Sequence, residues 1–238
     1  MNILFFGAHP DDLEILCGGT IAACVAQGHR VTMAVATNGN VGSPTHDREE
    51  IASIRRREAE AAAGVLGAAE LIWLDEDDEF LFDDKPTRLK FVDAIRRARA
   101  EVIVTHNPED YHPDHNACSK LAADSRILSA VRLVETAHPS LDRVPELYYM
   151  DSAAGINFQP QFYSDITAFF EVKRKALLAH DSQNAWLRAI YGHELTDIMQ
   201  TQSAFRGLQA GVKYAEAFTQ PSYWPKAAEA MSFLRTKD

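Results

Sequence analysis

Residues 9–14 read His-Pro-Asp-Asp-Leu-Glu, and residues 110–115 read Asp-Tyr-His-Pro-Asp-His. The first stretch crowds Asp11, Asp12 and Glu14 beside His9, an arrangement that repels itself unless something positive holds it together. The second offers two imidazoles and two carboxylates. Neutral imidazole and carboxylate oxygen are the donor mix of a catalytic zinc site, which takes three protein ligands and keeps one position open. A bound dication also favours ionised carboxylates held close together. Proline fixes φ and biases the residue before it toward extended backbone, so each His-Pro-Asp presents its histidine on a stiff turn. For either stretch alone a plainer account suffices: Asp12, Glu14 and Asp114 all suit the first turn of a helix. Taken together, the two stretches require that account to hold twice.

The elements around them decide whether the two stretches can meet. Asn2 to Gly7 reads as a short buried strand. Gly18-Gly19-Thr20 opens an apolar helix, Ile21 to Gln27, closed by Gly28. Arg30 to Thr37 is a second strand, which completes a βαβ unit and predicts parallel pairing with a right-handed crossover. Asp47 and Glu50 resemble a capping box for a helix running to Leu66 and Gly67. Leu71 to Leu74 is a third strand, Thr87 to Ala100 a helix, Glu101 to His106 a fourth strand, and Asn116 to Val131 a helix. Beyond these, Glu146 to Ser152 reads as a strand, and Ile166 to Ala179 and Leu187 to Leu208 as helices. The chain is therefore expected to form one α/β domain over residues 1–238. Its core is a mostly parallel, doubly wound sheet with helices on both faces, followed by a C-terminal elaboration. In such sheets ligands sit beyond the carboxyl ends of the strands, at a switch in strand order. The His9 loop follows strand one and the His112 loop follows strand four, so both emerge on one edge. The acidic run Glu-Asp-Asp-Glu-Phe-Leu-Phe-Asp-Asp from residue 76 reads as a solvated loop around a buried phenylalanine or two.

Composition narrows the partners. Of 238 residues, 24 are Lys or Arg and 34 are Asp or Glu, a net charge of −10, which disfavours nucleic acid and anionic membranes. Cys17, Cys24 and Cys118 form no C-x-x-C pair, and an odd count fits reduced, packed thiols. No apolar run is long enough to insert in a membrane. A cytoplasmic homo-oligomer acting on a small molecule is expected.

The residues also carry a specific resemblance. Ala-His-Pro-Asp-Asp-Leu-Glu followed by Gly-Gly-Thr, and later His-Pro-Asp-His, resemble the LmbE-like, PIG-L-type family of zinc-dependent N-deacetylases. Arg55-x-x-Glu58-Ala59, Lys175 to Gln183 and Tyr214 to Phe218 resemble later family segments, so the likeness spans most of residues 1 to 218. The resemblance implies a Rossmann-like fold and hydrolysis of the N-acetyl group of an N-acetylglucosamine conjugate by attack of a metal-bound water. It implies zinc, with iron as the alternative in cells, on His9, Asp12 and His115. Asp11 would be the general base. His112 would polarise the amide oxygen or protonate the leaving amine as an imidazolium, and Asp114 would orient His112. Arg55 and Tyr214 are candidate substrate contacts; Arg55 also suits a pair with Glu58, and Tyr214, Glu216, His180 and Gln183 also suit structural roles. Asn40 stands where an acidic residue is common. Two other readings fit Asp/His clusters on an α/β sheet: a two-metal phosphohydrolase, and a sugar- or metal-binding protein without catalysis.

Overall fold

The computed structural model describes residues 1–224 and 234. The N-terminal half alternates strand and helix: β1 (Asn2–Gly7), α1 (Asp12–Ala26), β2 (Arg30–Thr37), α2 (Arg48–Leu66), β3 (Glu70–Glu76), α3 (Lys85–Arg97), β4 (Val102–Thr105), α4 (Pro113–Leu128) and β5 (Glu146–Met150). These strands pair in parallel in the order β3-β2-β1-β4-β5. The apolar run in β1 is continuous because both of its faces are covered. Ile3 and Phe5 pack into a core with α1 and α2, while Leu4 and Phe6 pack into a second core with α3 and α4. The expected α/β sheet with helices on both faces is borne out. The direction of winding reverses between β1 and β4, and the two histidine loops leave the sheet at that switch.

The C-terminal elaboration adds β6 (Phe162–Asp165), α5 (Phe170–Leu177), α6 (Asp181–Tyr191), α7 (Leu195–Ala210) and β7 (Ala215–Thr219). Strand β7 lies antiparallel between β5 and β6, so the Tyr214–Phe218 segment helps to extend the sheet. The long helix expected over residues 187–208 is broken at Gly192, whose φ of 71° ends α6. That break brings His193 to the cleft described below. No helix among the described residues is long and apolar enough to cross a membrane.

Helix α1 departs most from expectation. It starts at Asp12, immediately after His-Pro-Asp, and kinks at Cys17 (φ −145°, ψ 15°). The kink frees the amides of Gly19 and Thr20, which donate to the Glu216 carboxylate at 2.9 and 2.7 Å. Lys173 neutralises that carboxylate at 2.6 Å. A Cβ on Gly19 would stand 2.6 Å from Ile166, so glycine is what allows the following segment to lie against α1.

Candidate active site

The loop between β1 and α1 shrinks to three residues past Ala8: His9, Pro10 and Asp11. Asp11 has φ 135°, a backbone conformation that costs a non-glycine residue about 1–3 kcal/mol. Asp12 then enters the first helical turn, with Oδ2 accepting from the His9 amide at 2.6 Å. Across the switch, Pro113 opens α4 in the first-turn position that proline favours, and His112 caps it by accepting from the Asp114 amide at Nδ1, 3.2 Å away.

The geometry fixes where the ring protons are. His9 Nε2 lies 3.2 Å from Asp78 and 3.3 Å from Asp114, so that nitrogen carries its hydrogen. His115 Nδ1 lies 3.1 Å from Asp110 Oδ1, off the line of a good hydrogen bond but close enough to draw the proton there. The remaining lone pairs, on His9 Nδ1 and His115 Nε2, therefore face each other at 3.2 Å. The Asp12 carboxylate completes the triangle, 3.4 Å from the first nitrogen and 3.2 Å from the second. Three acceptors pointed at one spot require a cation or protons between them. The charges around them express the same demand. Burial opposes charging His115, yet Asp12 and Asp110 raise it to about 9. Burial likewise opposes charging His9, and Asp12, Asp114 and Asp78 still raise it well above its ordinary value. Burial disfavours the Asp12 carboxylate, but His115, His106 and His9 hold it well below the ordinary range. Two nitrogens and one carboxylate oxygen, each imidazole backed by a carboxylate on its far side, fit a divalent metal.

Besides that triad, three overlapping groups among the described residues come close enough to hold a metal: His9, His112 and His115; Asp12, His106 and His115; and His9, Asp78 and Asp114. The sequence motifs assign no role to His106, Asp78 or Asp110. His106 ends the fourth strand segment, is fully buried, accepts from the Ala8 amide at 2.9 Å and stacks on His115. Burial and the neighbouring His115 lower it to about 4, which keeps it neutral. Asp78 comes from the acidic run that was expected to be solvated. It is buried, and it meets His9 at 3.2 Å and Arg55 at 3.6 Å. Within that run Phe80 and Phe82 are exposed and Leu81 is the buried apolar residue, the reverse of expectation. The signal for Asp78 was its position just past strand three, on the same sheet edge as the two histidine loops.

Asp11, Asp12, His9, His112, His115 and Arg55 all line one cleft of about 300 Å³. Burial raises Asp11 to about 6, against the pull of Arg55 at 3.6 Å. Arg55 reaches the cleft from α2 through space left by Gly39, whose Cβ would collide with it at 2.5 Å. It also donates to the Pro10 carbonyl at 3.0 Å.

Three expectations are corrected. Asp114 meets His112 through its backbone amide, while its carboxylate accepts from Glu79 and Leu81 amides and contacts His9. His112 is not favoured as an imidazolium: burial, and the neighbouring His9 and His115, hold it below its ordinary value. Tyr214 is not among the residues that line the cleft; it lies in the link between α7 and β7 and stacks on Phe170 at 3.8 Å between centroids.

Comparison with known proteins agrees with this architecture. The family model described as GlcNAc-PI de-N-acetylase (PIG-L) matches residues 4–125, and the chain belongs to that family. A Bacillus cereus relative named probable N-acetyl-alpha-D-glucosaminyl L-malate deacetylase 2 is 30% identical over 76% of this chain and 83% of its own. The N,N'-diacetylchitobiose deacetylase of Pyrococcus horikoshii superimposes with a TM-score of 0.80 at 26% identity, covering 91% of this chain and 82% of that one. A 4-oxalmesaconate hydratase of Pseudomonas putida is 26% identical over 74% of this chain and 71% of its own.

Proposed function

We propose that the protein is a metal-dependent deacetylase of an N-acetylglucosamine-containing substrate, with zinc held by His9, Asp12 and His115. The observation that carries this reading is the meeting of two imidazole lone pairs and one carboxylate within 3.4 Å of one another. Zinc at that point would supply Lewis acidity and a nucleophile at neutral pH. Asp11 takes the proton of the attacking water: it adjoins Asp12 in sequence, faces the cleft, and is braced by Arg55. His112 accepts at Nδ1 from the Asp114 amide, so its Nε2 carries the hydrogen that meets the amide oxygen, while the proton taken up by Asp11 is the one passed to the departing amine. Arg55 also stands where it can bind a sugar hydroxyl.

Charge separates this reading from the hydratase among the relatives. The cleft lining holds four carboxylates, Asp11, Asp12, Asp78 and Glu79, against one guanidinium, Arg55. Even a dication leaves that balance negative, which suits a neutral sugar and a leaving amine but repels a polycarboxylate. Trp186 also lines the cleft, an aromatic side chain of the kind that packs against a sugar ring.

The test is a panel of N-acetylglucosamine conjugates assayed for acetate and free amine. Activity is expected to vanish with a chelator and to return with zinc at one metal per chain. Absence of acetate from every conjugate sinks the reading. Two tightly held metals per chain would favour a phosphohydrolase, and hydration of an unsaturated carboxylate would place the protein with the hydratase.

A further inference from the structure

Beside the cleft lies a second hollow of about 400 Å³ that the reaction above does not use. Its apolar walls are Ala154, Gly155, Ile198 and Phe205, with Thr201 on the floor from α7. It shares His193 and Ile198 with the catalytic cleft, so the two hollows lie side by side along one ridge.

The hollow is pre-formed. Gln202 accepts from the Ala154 amide at 3.1 Å and donates to the Ser152 carbonyl at 2.8 Å. Arg206 donates twice to the buried Asp151 carboxylate, at 2.6 and 3.0 Å. These bonds pin the turn after β5 onto α7. Ala154 and Gly155 hold φ of 58° and 68°, and a Cβ on Gly155 would lie 2.6 Å from the Arg206 guanidinium, so no side chain can fill that wall. A rigid pocket of this volume beside a reaction centre is sized for part of a small molecule.

Its chemistry restricts the occupant. Neither Lys nor Arg lines the hollow, and its titratable residues are Asp197 and His193. An anionic group would meet Asp197, and the Arg206 guanidinium behind Gly155 and Phe205 is buried and already neutralised by Asp151. An uncharged ring or chain would meet Ile198, the Phe205 face and the Ala154–Gly155 backbone.

We propose that this hollow is an aglycone subsite for an uncharged, apolar group, aryl or alkyl, carried by the amino sugar whose N-acetyl group lies in the cleft. The proposal rests on the deacetylase reading, and it makes the preferred substrate an amphiphilic glycoside rather than a sugar joined to malate.

Titration calorimetry on the zinc-loaded protein tests it, with methyl, phenyl and L-malate glycosides of N-acetylglucosamine as probes and acetate release measured separately. The phenyl glycoside is expected to bind about tenfold tighter than the methyl glycoside, a difference of about 1.4 kcal/mol. The malate glycoside is expected to bind no tighter than the methyl one. Thr201→Trp, which fills the hollow, and Phe205→Ala, which removes its aromatic wall, should each bring the phenyl-to-methyl ratio toward one and leave methyl glycoside affinity unchanged. Equal binding of phenyl and methyl glycosides overturns the subsite, as does an equal loss for both probes in folded Thr201→Trp. If the affinity ratio stands but no acetate appears, the deacetylase reading fails and the subsite survives. If acetate appears with a ratio of one, the subsite fails alone.

Discussion

Helix α1 touches two buried clusters of charge, and they are built on opposite logic. At its kink, Glu216 accepts from the Gly19 and Thr20 amides and from Lys173, and Lys173 also reaches Ser203 at 3.3 Å. Donors and acceptors alternate there, and both partners are almost wholly shielded. At its N-terminus, acceptors face acceptors: His9, Asp12 and His115 turn lone pairs toward one point, while Asp78, Asp110 and Asp114 stand behind the rings. The first cluster is complete within the chain and joins α1 to α5 and β7. The second is complete only with a cation or protons added. Burial alone does not distinguish an architectural ion pair from a reaction centre; the balance of donors and acceptors does.

Five measurements can break or sharpen that contrast. Asp11→Asn should lower kcat by about 10²–10⁴-fold while zinc content stays at one per chain, because it removes the proposed base and none of the proposed ligands. A near wild-type rate would end the assignment of Asp11. At the kink, Lys173→Met should destabilise the protein by about 3–5 kcal/mol in denaturant unfolding, because it leaves Glu216 buried without its cation. Lys173→Met with Glu216→Gln should recover much of the loss, and zinc affinity should not move in either variant. Asp110→Asn weakens the support behind His115 and should cost about 10–100-fold in zinc affinity with little change in stability. Unchanged affinity would mean that the carboxylate behind His115 is incidental.

The fourth measurement concerns the loop that delivers Asp78. Asn40 donates to Asp77 at 2.8 Å and accepts from the Asp78 amide at 3.3 Å. An aspartate at 40 would repel Asp77, so Asn40→Asp should lower kcat/KM by up to about tenfold, or 1.4 kcal/mol. Adding Asp77→Asn should restore it. The smallest effect is expected at a half-buried pair remote from the cleft. Burial disfavours ionised Asp93, but bonds from the His138 amide and ring hold its pKa below the ordinary range. A depressed folded pKa stabilises above the unfolded value of about 3.9 and loses that stabilisation as pH falls through the folded value. Asp93→Ala should therefore cost about 0.5–1 kcal/mol at pH 7, and the gap from wild type should close as pH falls below 4.

The same contrast explains what the sequence could convey. His9, Asp12 and His115 sit in two compact motifs just past parallel strands, so residue type and position both point to them. The alternation of strands and helices likewise reveals the switch point. Asp78 and His106 join the site by folding alone: one lies in a run of acidic residues with no periodicity, the other at a strand end with no partner nearby in sequence. The placement of Tyr214 failed for a related reason. A short segment of tyrosine, alanine, glutamate and phenylalanine does not reveal that it feeds an antiparallel strand at the far side of the sheet. In the sequence, two glycines at 18 and 19 read as a helix opening, whereas they mark a bend within α1, which is already under way from Asp12.

Asp11 places durability and turnover in opposition at a single codon. Its main chain sits where only glycine is at ease, at φ 135°. Glycine there would release strain worth about 1–3 kcal/mol and delete the carboxylate proposed as the base in the same step. A laboratory lineage selected for heat resistance alone would drift toward that substitution and return robust, silent proteins. Selection for product would hold the aspartate in place generation after generation, against the preference of its own backbone.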